Sequence, residues 1–286
     1  MPELPEVETI ARGLAGCVAG DVIDSVWLGA KPEPLKSRAA EIIDTLESKR
    51  IAQVRRVGKH LVFDLEPGEP TSLPIPRGNA KGAKATRFAP AQWIVHLGMT
   101  GRLLVCPADQ PVAKHTHAIA RLASGRELRF VDPRRFGRLS VARGFRAPGS
   151  EPLEVEAESF VNLFRGRKTP IKSALLNQKL LSGVGNIYAD ESLFRAAIRP
   201  RRRAASLSRE ELRRLYRAVQ EVLEEAIALG GSSVSDYVDA EGEEGLFQLE
   251  HRVYGREGQP CLVCKTPIRR RVIAGRSSHY CPRCQR

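Results

Sequence analysis

Apolar residues open the chain at helical spacing. Val7, Ile10, Ala11 and Leu14 fall on one face of a helix, with Gly13 and Gly16 near its expected end. Short alternating or wholly apolar runs follow. They predict strands over Val22 to Leu28, Ile51 to Leu65 with a break at Gly58, Gln92 to Leu97, Arg102 to Val105, Ala118 to Leu122, Glu127 to Val131 and Arg138 to Val141. Many strands with few helices between them predict a sandwich or flattened barrel, not alternating β and α units. From Pro67 to Pro90 the pattern lapses into Pro- and Gly-rich sequence carrying Arg77, Lys81, Lys84 and Arg87, which reads as a mobile basic loop.

Helical periodicity takes over near residue 150, where Pro148, Gly149 and Pro152 punctuate the chain. Ser208 and Glu211 have capping-box spacing ahead of an apolar stripe at Leu212, Leu215, Tyr216, Val219, Val222, Leu223 and Ile227, and Gly230 with Gly231 stops that helix. A polar stretch to Gly245 then carries Asp236, Asp239, Glu241, Glu243 and Glu244. Acidic residues do not hold DNA by charge, so this loop either stays solvated or moves over something. The expected organisation is an α+β chain: a β-rich domain over 1–148 with an insertion at about 67–90, a helical domain over 149–248, and a small module over 249–286.

Charge changes the picture. The 286 residues contain 46 Lys and Arg against 33 Asp and Glu, a net +13 that argues for an acidic partner. Nucleic acid is the first candidate. A membrane surface competes, but no run of about 18 apolar residues and no export signal is present, so a cytoplasmic protein is expected. Four of the six cysteines form two pairs, Cys261-x-x-Cys264 and Cys281-x-x-Cys284, whose spacing is that of a tetrahedral zinc site around a hairpin. Cys17 and Cys106 are left over as core thiols. From Leu249 to Arg286 there are nine Lys or Arg and two Glu, so +7 of the +13 lies in this module. Arg269, Arg270, Arg271 and Arg276 on a metal-braced hairpin point to phosphate contact.

The first residues carry chemistry of another kind. Pro2 and Pro5 suit a helix start, with Glu6 and Glu8 opposing the helix dipole. Removal of Met1 makes Pro2 a secondary amine beside the Glu3 carboxylate. A terminal amine has a pKa near about 7.8, against about 10.4 for lysine, so it attacks carbon more readily at neutral pH and forms an iminium. Elsewhere, Lys59 follows a glycine in a strand where backbone can approach a ligand. The amides of Gly183-Val-Gly-Asn186, at a helix start, could cradle a phosphate with the Asn186 side chain. Met99 and Phe136 sit in turns, with Arg134 nearby, as wedges for a base stack.

Taken together, Pro2 to Glu8, His96-Leu-Gly-Met99, Asp132-Pro-Arg-Arg-Phe-Gly137, Gly183-Val-Gly-Asn-Ile-Tyr188, Val253-Tyr-Gly-Arg256 and the four cysteines resemble the formamidopyrimidine-DNA glycosylases. The resemblance covers both ends and most of the chain between; Pro67 to Pro90 does not match and looks like an insertion. It implies an N-terminal β-sandwich with an opening helix, a helix-two-turns-helix domain, a β-hairpin zinc finger holding one Zn2+, and a monomer acting on damaged duplex DNA. The implied activity is removal of oxidised purines, such as 8-oxoguanine and formamidopyrimidines, followed by strand cleavage. By the resemblance, Pro2 is the nucleophile, Glu3 the acid for sugar-ring opening, and Glu6 a further carboxylate of the site. Lys59 is the proton donor of β-elimination, and Arg276 serves δ-elimination and a flanking phosphate. His115, Arg134, Arg167 and Asn186 match DNA-binding positions, Met99 and Phe136 fill the void left by the flipped base with Arg134, and Ser232 to Gly245 closes over that base. Two alternatives remain. One is an endonuclease VIII-like enzyme for oxidised pyrimidines, disfavoured by Leu4-Pro5-Glu6-Val7 and the Gly183 and Val253 motifs. The other is a zinc-dependent DNA-binding protein without catalysis, which leaves Pro2 beside Glu3 as coincidence.

Overall fold

The structure, a computed structural model, describes residues 1–68, 90–233 and 243–286. The basic segment with Arg77, Lys81, Lys84 and Arg87, and the acidic positions Asp236, Asp239 and Glu241, lie outside the described residues.

Helix α1 spans Leu4–Val18. It begins at a capping box in which Glu6 accepts the Glu3 N–H at 2.7 Å, and Pro5 sits in the first turn, where no N–H is needed. The helix runs two residues past Gly16, so that glycine lies near its end as the sequence predicts. Its apolar face continues through Leu14 to a fully buried Val18, and that packing outweighs the roughly 1 kcal/mol each glycine costs a helix.

Eight strands follow: β1 (Val22–Leu28), β2 (Lys49–Val57), β3 (His60–Pro67), β4 (Ala91–His96), β5 (Arg102–Pro107), β6 (Thr116–Leu122), β7 (Arg126–Val131) and β8 (Arg138–Arg143). They pair antiparallel in the order β5-β7-β6-β1-β2-β3-β4-β8. The two ends of this sheet face one another. Phe63 and Trp93 from one half share a core with Leu103, Leu128 and Phe130 from the other, and the backbone at Gly137, entering β8, lies against the Phe130 ring of β7. A single folded sheet thus makes both layers of the expected sandwich. Helix α2 (Ala39–Leu46), which buries Ile42 and Leu46, has no counterpart in the sequence reading; eight residues give too short a periodic signal.

Beyond residue 150 come α3 (Ala157–Phe164), α4 (Ile171–Leu175), α5 (Asn186–Arg195) and α6 (Arg209–Ala228). At Ser208 the hydroxyl accepts the Glu211 N–H at 3.1 Å and the Glu211 carboxylate accepts the Ser208 N–H at 2.8 Å. The capping box read from sequence is therefore made in full, and Leu212, Leu215, Val219, Val222 and Leu223 are buried as the stripe predicts. Strands β9 (Arg269–Ile273) and β10 (Arg276–Tyr280) form the terminal hairpin. Among the described residues no helix is long and apolar enough to cross a membrane.

Two features join the sheet to the helices. Leu4 belongs to the helical core and Val7 to the sheet core, so one turn of α1 is shared between them. Arg56 on β2, its side chain 6% exposed, pairs with Glu8 at 2.8 Å and with Glu151 at 2.7 Å, and Glu151 also accepts the Gly58 N–H at 2.5 Å. Glu151→Ala leaves a buried guanidinium with one carboxylate, Glu8, beside the Gly58 carbonyl, and an amide unpaired. Its expected cost is about 3 kcal/mol, against less than about 0.5 for the exposed Glu154→Ala, read by urea unfolding. Equal losses would contradict the role of this pair.

Candidate active site

The backbone from Pro2 to Glu6 is buried between the two cores, and both carboxylates are turned inward. Leu4 N–H donates to the Gly183 carbonyl at 3.0 Å, which brings the chain start against the turn preceding α5. There the Ile187 N–H donates to Glu3 Oε1 at 3.2 Å. A Cβ on Gly185, the residue capping α5, would overlap the Glu3 carboxylate, so glycine is required by close approach. The first turn of α5 receives a carboxylate of the protein itself. Asn186 donates from Nδ2 to Ser277 Oγ at 3.3 Å, and its Oδ1 is buried without a protein partner.

Glu6 is held more completely. Its Oε2 accepts the Glu3 N–H, while its Oε1 accepts the Ser232 N–H at 2.8 Å and the Tyr188 hydroxyl. Gly231 has φ 84° and passes so close that a Cβ would lie 2.9 Å from Glu6 Oε1. Burial raises the Glu3 pKa above the ordinary 4.5. Burial, followed by the neighbouring Glu3 charge, raises Glu6 to about 7. Glu3 Oε2 is buried and has no partner in the protein.

Lys59 stands in the hairpin turn between β2 and β3, not within a strand as its sequence context suggests. Val57 pairs with His60, so Gly58 and Lys59 form a two-residue loop, and Gly58 supplies φ 60° at its first position. The ammonium is buried, and that burial lowers its pKa; Glu3 and Glu6 oppose the shift and Arg276 adds to it. A cavity of about 550 Å³ is lined by Met1, Glu3, Lys59, Met99, Asn186 and Arg276. Residues far apart in sequence thus converge on one opening.

The turns that carry Met99, Arg134 and Phe136 share an organiser that the sequence reading assigned no role. Asp132 is fully buried and accepts from Thr100 Oγ1 at 2.6 Å, from the Arg134 N–H at 3.2 Å and from the Gly137 N–H at 2.7 Å. It ties the β4–β5 turn to the β7–β8 turn. Met99 and Phe136 are 40% and 50% exposed, and the Arg134 guanidinium lies 4.8 Å over the Phe136 ring. His115 is exposed, with φ 68°, and its carbonyl accepts the Asp132 N–H at 3.0 Å. Arg167 is also exposed; neither it nor His115 lines the cavity.

At the C-terminus the ligand sulfurs of Cys261, Cys264, Cys281 and Cys284 lie within 4.8 Å of one another. Four thiols so grouped fit one structural zinc ion. Cys106 is buried and Cys17 half-buried, and both stand apart from this cluster. The module is anchored to the helices by buried polar groups. Lys172 pairs with Asp190 at 2.8 Å and donates to the Ser277 carbonyl at 2.5 Å, and Glu191 accepts the N–H groups of Arg252, Val253 and Tyr254. Arg276, at the start of β10, is thereby fixed over the cavity.

Residues 1–139 match the formamidopyrimidine-DNA glycosylase N-terminal domain, residues 148–238 the formamidopyrimidine-DNA glycosylase H2TH domain, and residues 258–286 a zinc finger found in FPG and IleRS. The chain belongs to the formamidopyrimidine-DNA glycosylase family. A formamidopyrimidine-DNA glycosylase of Solibacter usitatus is 43% identical, with 100% of each chain covered. That of Thermus thermophilus is 45% identical over 100% of this chain and 98% of its own. Among solved structures, the MutM (FPG) protein of Thermus thermophilus superposes with a TM-score of 0.82 at 42% identity, covering 99% of this chain and 98% of that one. A Lactococcus lactis FPG mutant bound to Fapy-dG-containing DNA gives 0.85 at 31%, with 100% of both covered.

In this glycosylase-family chain the raised pKa of Glu6 has a measurable consequence. A folded value of about 7 above an ordinary 4.5 means that Glu6 burial is tolerated in full below pH 4.5. The advantage is lost as pH rises through 7, by about 3 kcal/mol. Glu6→Gln cannot ionise. The stability of the wild type relative to Glu6→Gln is therefore expected to fall between pH 4.5 and 8, followed by melting temperature; a pH-independent difference would contradict it.

Proposed function

We propose that this chain excises oxidised purines, including 8-oxoguanine and formamidopyrimidines, from duplex DNA through a Schiff base at Pro2, and then cuts the strand by β,δ-elimination. The observation that carries this reading is the Glu3 carboxylate. It is buried, raised in pKa, open at Oε2, and shares a cavity with a buried lysine at the very start of the chain.

With Met1 removed, the Pro2 nitrogen attacks the anomeric carbon. The bond to the damaged base breaks, its electron pair leaves with the base, and the proton that the Pro2 nitrogen sheds on bonding to carbon neutralises the departing base. Glu3, able to hold a proton because burial disfavours its charged form, donates it to the sugar-ring oxygen as the ring opens to the iminium. The iminium acidifies the adjacent sugar carbon; loss of that proton expels the 3′ phosphate, and a second elimination expels the 5′ phosphate. Burial lowers the Lys59 pKa, which makes its proton easier to release in the first elimination. Arg276, at the cavity mouth, serves the second and contacts a flanking phosphate. Zinc, when bound, locks the hairpin and takes no part in the chemistry.

Eversion of the nucleotide costs a few kcal/mol, least at a damaged pair. Met99, Arg134 and Phe136 fill the vacated space, with Arg134 addressing the orphaned cytosine. His115, Arg167 and Asn186 bind the backbone. Residues 232–245 cover the everted base; their described flanks are tied to the site by Ser232 N–H on Glu6 and to each other by Gly245 N–H on Ser233 Oγ at 3.0 Å. The protein acts as a single chain in the cytoplasm, at the nucleoid.

Two assays test the reading. Duplexes carrying 8-oxoguanine opposite cytosine are expected to be cleaved faster than duplexes carrying an oxidised thymine, and the reverse preference points to the endonuclease VIII-like alternative. Glu3→Gln is expected to slow excision of 8-oxoguanine at least about 100-fold. Cleavage at a preformed abasic site, whose sugar is already in equilibrium with the open aldehyde, should fall far less. Equal losses on both substrates would remove Glu3 from the ring-opening step.

A further inference from the structure

A strip of cations with no carboxylate partner among the described residues leads away from the cavity along the start of α4; Arg167 Nε donates to the Leu163 carbonyl, at 2.5 Å. The segments around Arg165-Gly-Arg-Lys168 and Arg199-Pro-Arg-Arg-Arg203 meet antiparallel. Pro170 bridges Arg203, the Ala205 N–H donates to the Arg167 carbonyl at 2.7 Å, and the Ile171 N–H donates to the Arg202 carbonyl at 2.7 Å. Arg165, Arg167, Lys168, Arg201 and Arg203 are all exposed. Nearby acids are already engaged. Arg202 takes both oxygens of Glu211, at 2.5 and 3.2 Å, while Arg209 and Arg213 share Glu158. Arg199 is spent on the carbonyls of Pro282 and Gln285. Among the described residues no carboxylate pairs with Arg165, Arg167, Lys168, Arg201 or Arg203.

Five like charges on adjoining segments repel one another unless a polyanion neutralises them. The strip runs directly into the site: α4 begins at Ile171, and its Ser173 lines the cavity together with Leu176 just beyond its end. Guanidinium groups are suited to phosphate by their planar fork, and duplex DNA presents one negative charge per about 1.7 Å of axis. We propose that Arg165, Lys168, Arg201 and Arg203 extend the grip of Arg167 into a second phosphate track, which holds the duplex beyond the lesion. This rests on the reading of the cavity as a damaged-DNA site. It adds a longer footprint, set by helical-domain residues that touch neither the everted nucleotide nor the base stack.

The test compares two lesion duplexes, one just covering the cavity and wedge residues and one extended by about ten base pairs on each side. For the variant with Arg165, Lys168, Arg201 and Arg203 all changed to Ala, the slope of log Kd against log salt on the long duplex is expected to be smaller by about three to four. On the short duplex it should match the wild type. Lysine at the three arginine positions, with Lys168 kept, should restore the long-duplex slope, and Arg201→Ala with Arg203→Ala alone should lower it by about two, which keeps the test valid if the full variant folds poorly. An unchanged slope on the long duplex, or the same decrease on both duplexes, overturns the track. Failure of the cavity reading is seen separately, as absence of base excision from the short duplex by the wild-type protein.

Discussion

Two buried carboxylates close together at the start of the chain are the constraint on which the rest depends. Glu3 and Glu6 are each almost fully removed from water, a placement that is costly unless polar groups meet them. Those groups come mostly from the second half of the molecule. Ile187 from α5 serves Glu3, while Tyr188 and Ser232 serve Glu6. The glycines at 185 and 231 matter because any side chain there would collide with these carboxylates. The site is therefore completed only when the helical domain is docked on the sheet, which is why α1 contributes Leu4 to one core and Val7 to the other.

Local electrostatics oppose the global balance. The chain carries a net +13, yet the buried groups gathered at its start are two acids and one lysine, all shifted toward their neutral forms by burial. Long-range attraction for a polyanion and a dry centre for proton transfer are thus separated in space. In the proposed mechanism exposed cations such as Arg276 and Arg167 supply the first, and the buried Glu3 and Lys59 the second. The thiol cluster matters at one remove: by bracing the hairpin against Asp190 and Lys172 it keeps a cation at the cavity mouth without contributing a reactive group.

Much of this was legible along the chain because it is local. Strand spacing located all eight strands of the sheet, the Ser208–Glu211 spacing marked the start of α6, and two Cys-x-x-Cys pairs announced the metal module. What escaped was either too short or too distant in sequence. Helix α2 is eight residues long. Lys59 reads as a strand residue until the pairing of Val57 with His60 makes it a turn. The pairing of Glu3 with the Ile187 amide spans 184 positions, so no local pattern shows that the turn before α5 meets a carboxylate of the chain start. Asp132 is similar: its motif is visible, but the hydrogen bond to Thr100 that joins two turns is not.

The central claim is that the Pro2 nitrogen becomes bonded to the sugar. Borohydride reduction of the protein with 8-oxoguanine duplex, followed by mass spectrometry of the cross-linked peptide, tests it directly. The expected product is a stable adduct on the N-terminal peptide, at Pro2 of a chain that has lost Met1. An adduct on Lys59, or none with the wild-type protein on a duplex that it cleaves, would contradict the account.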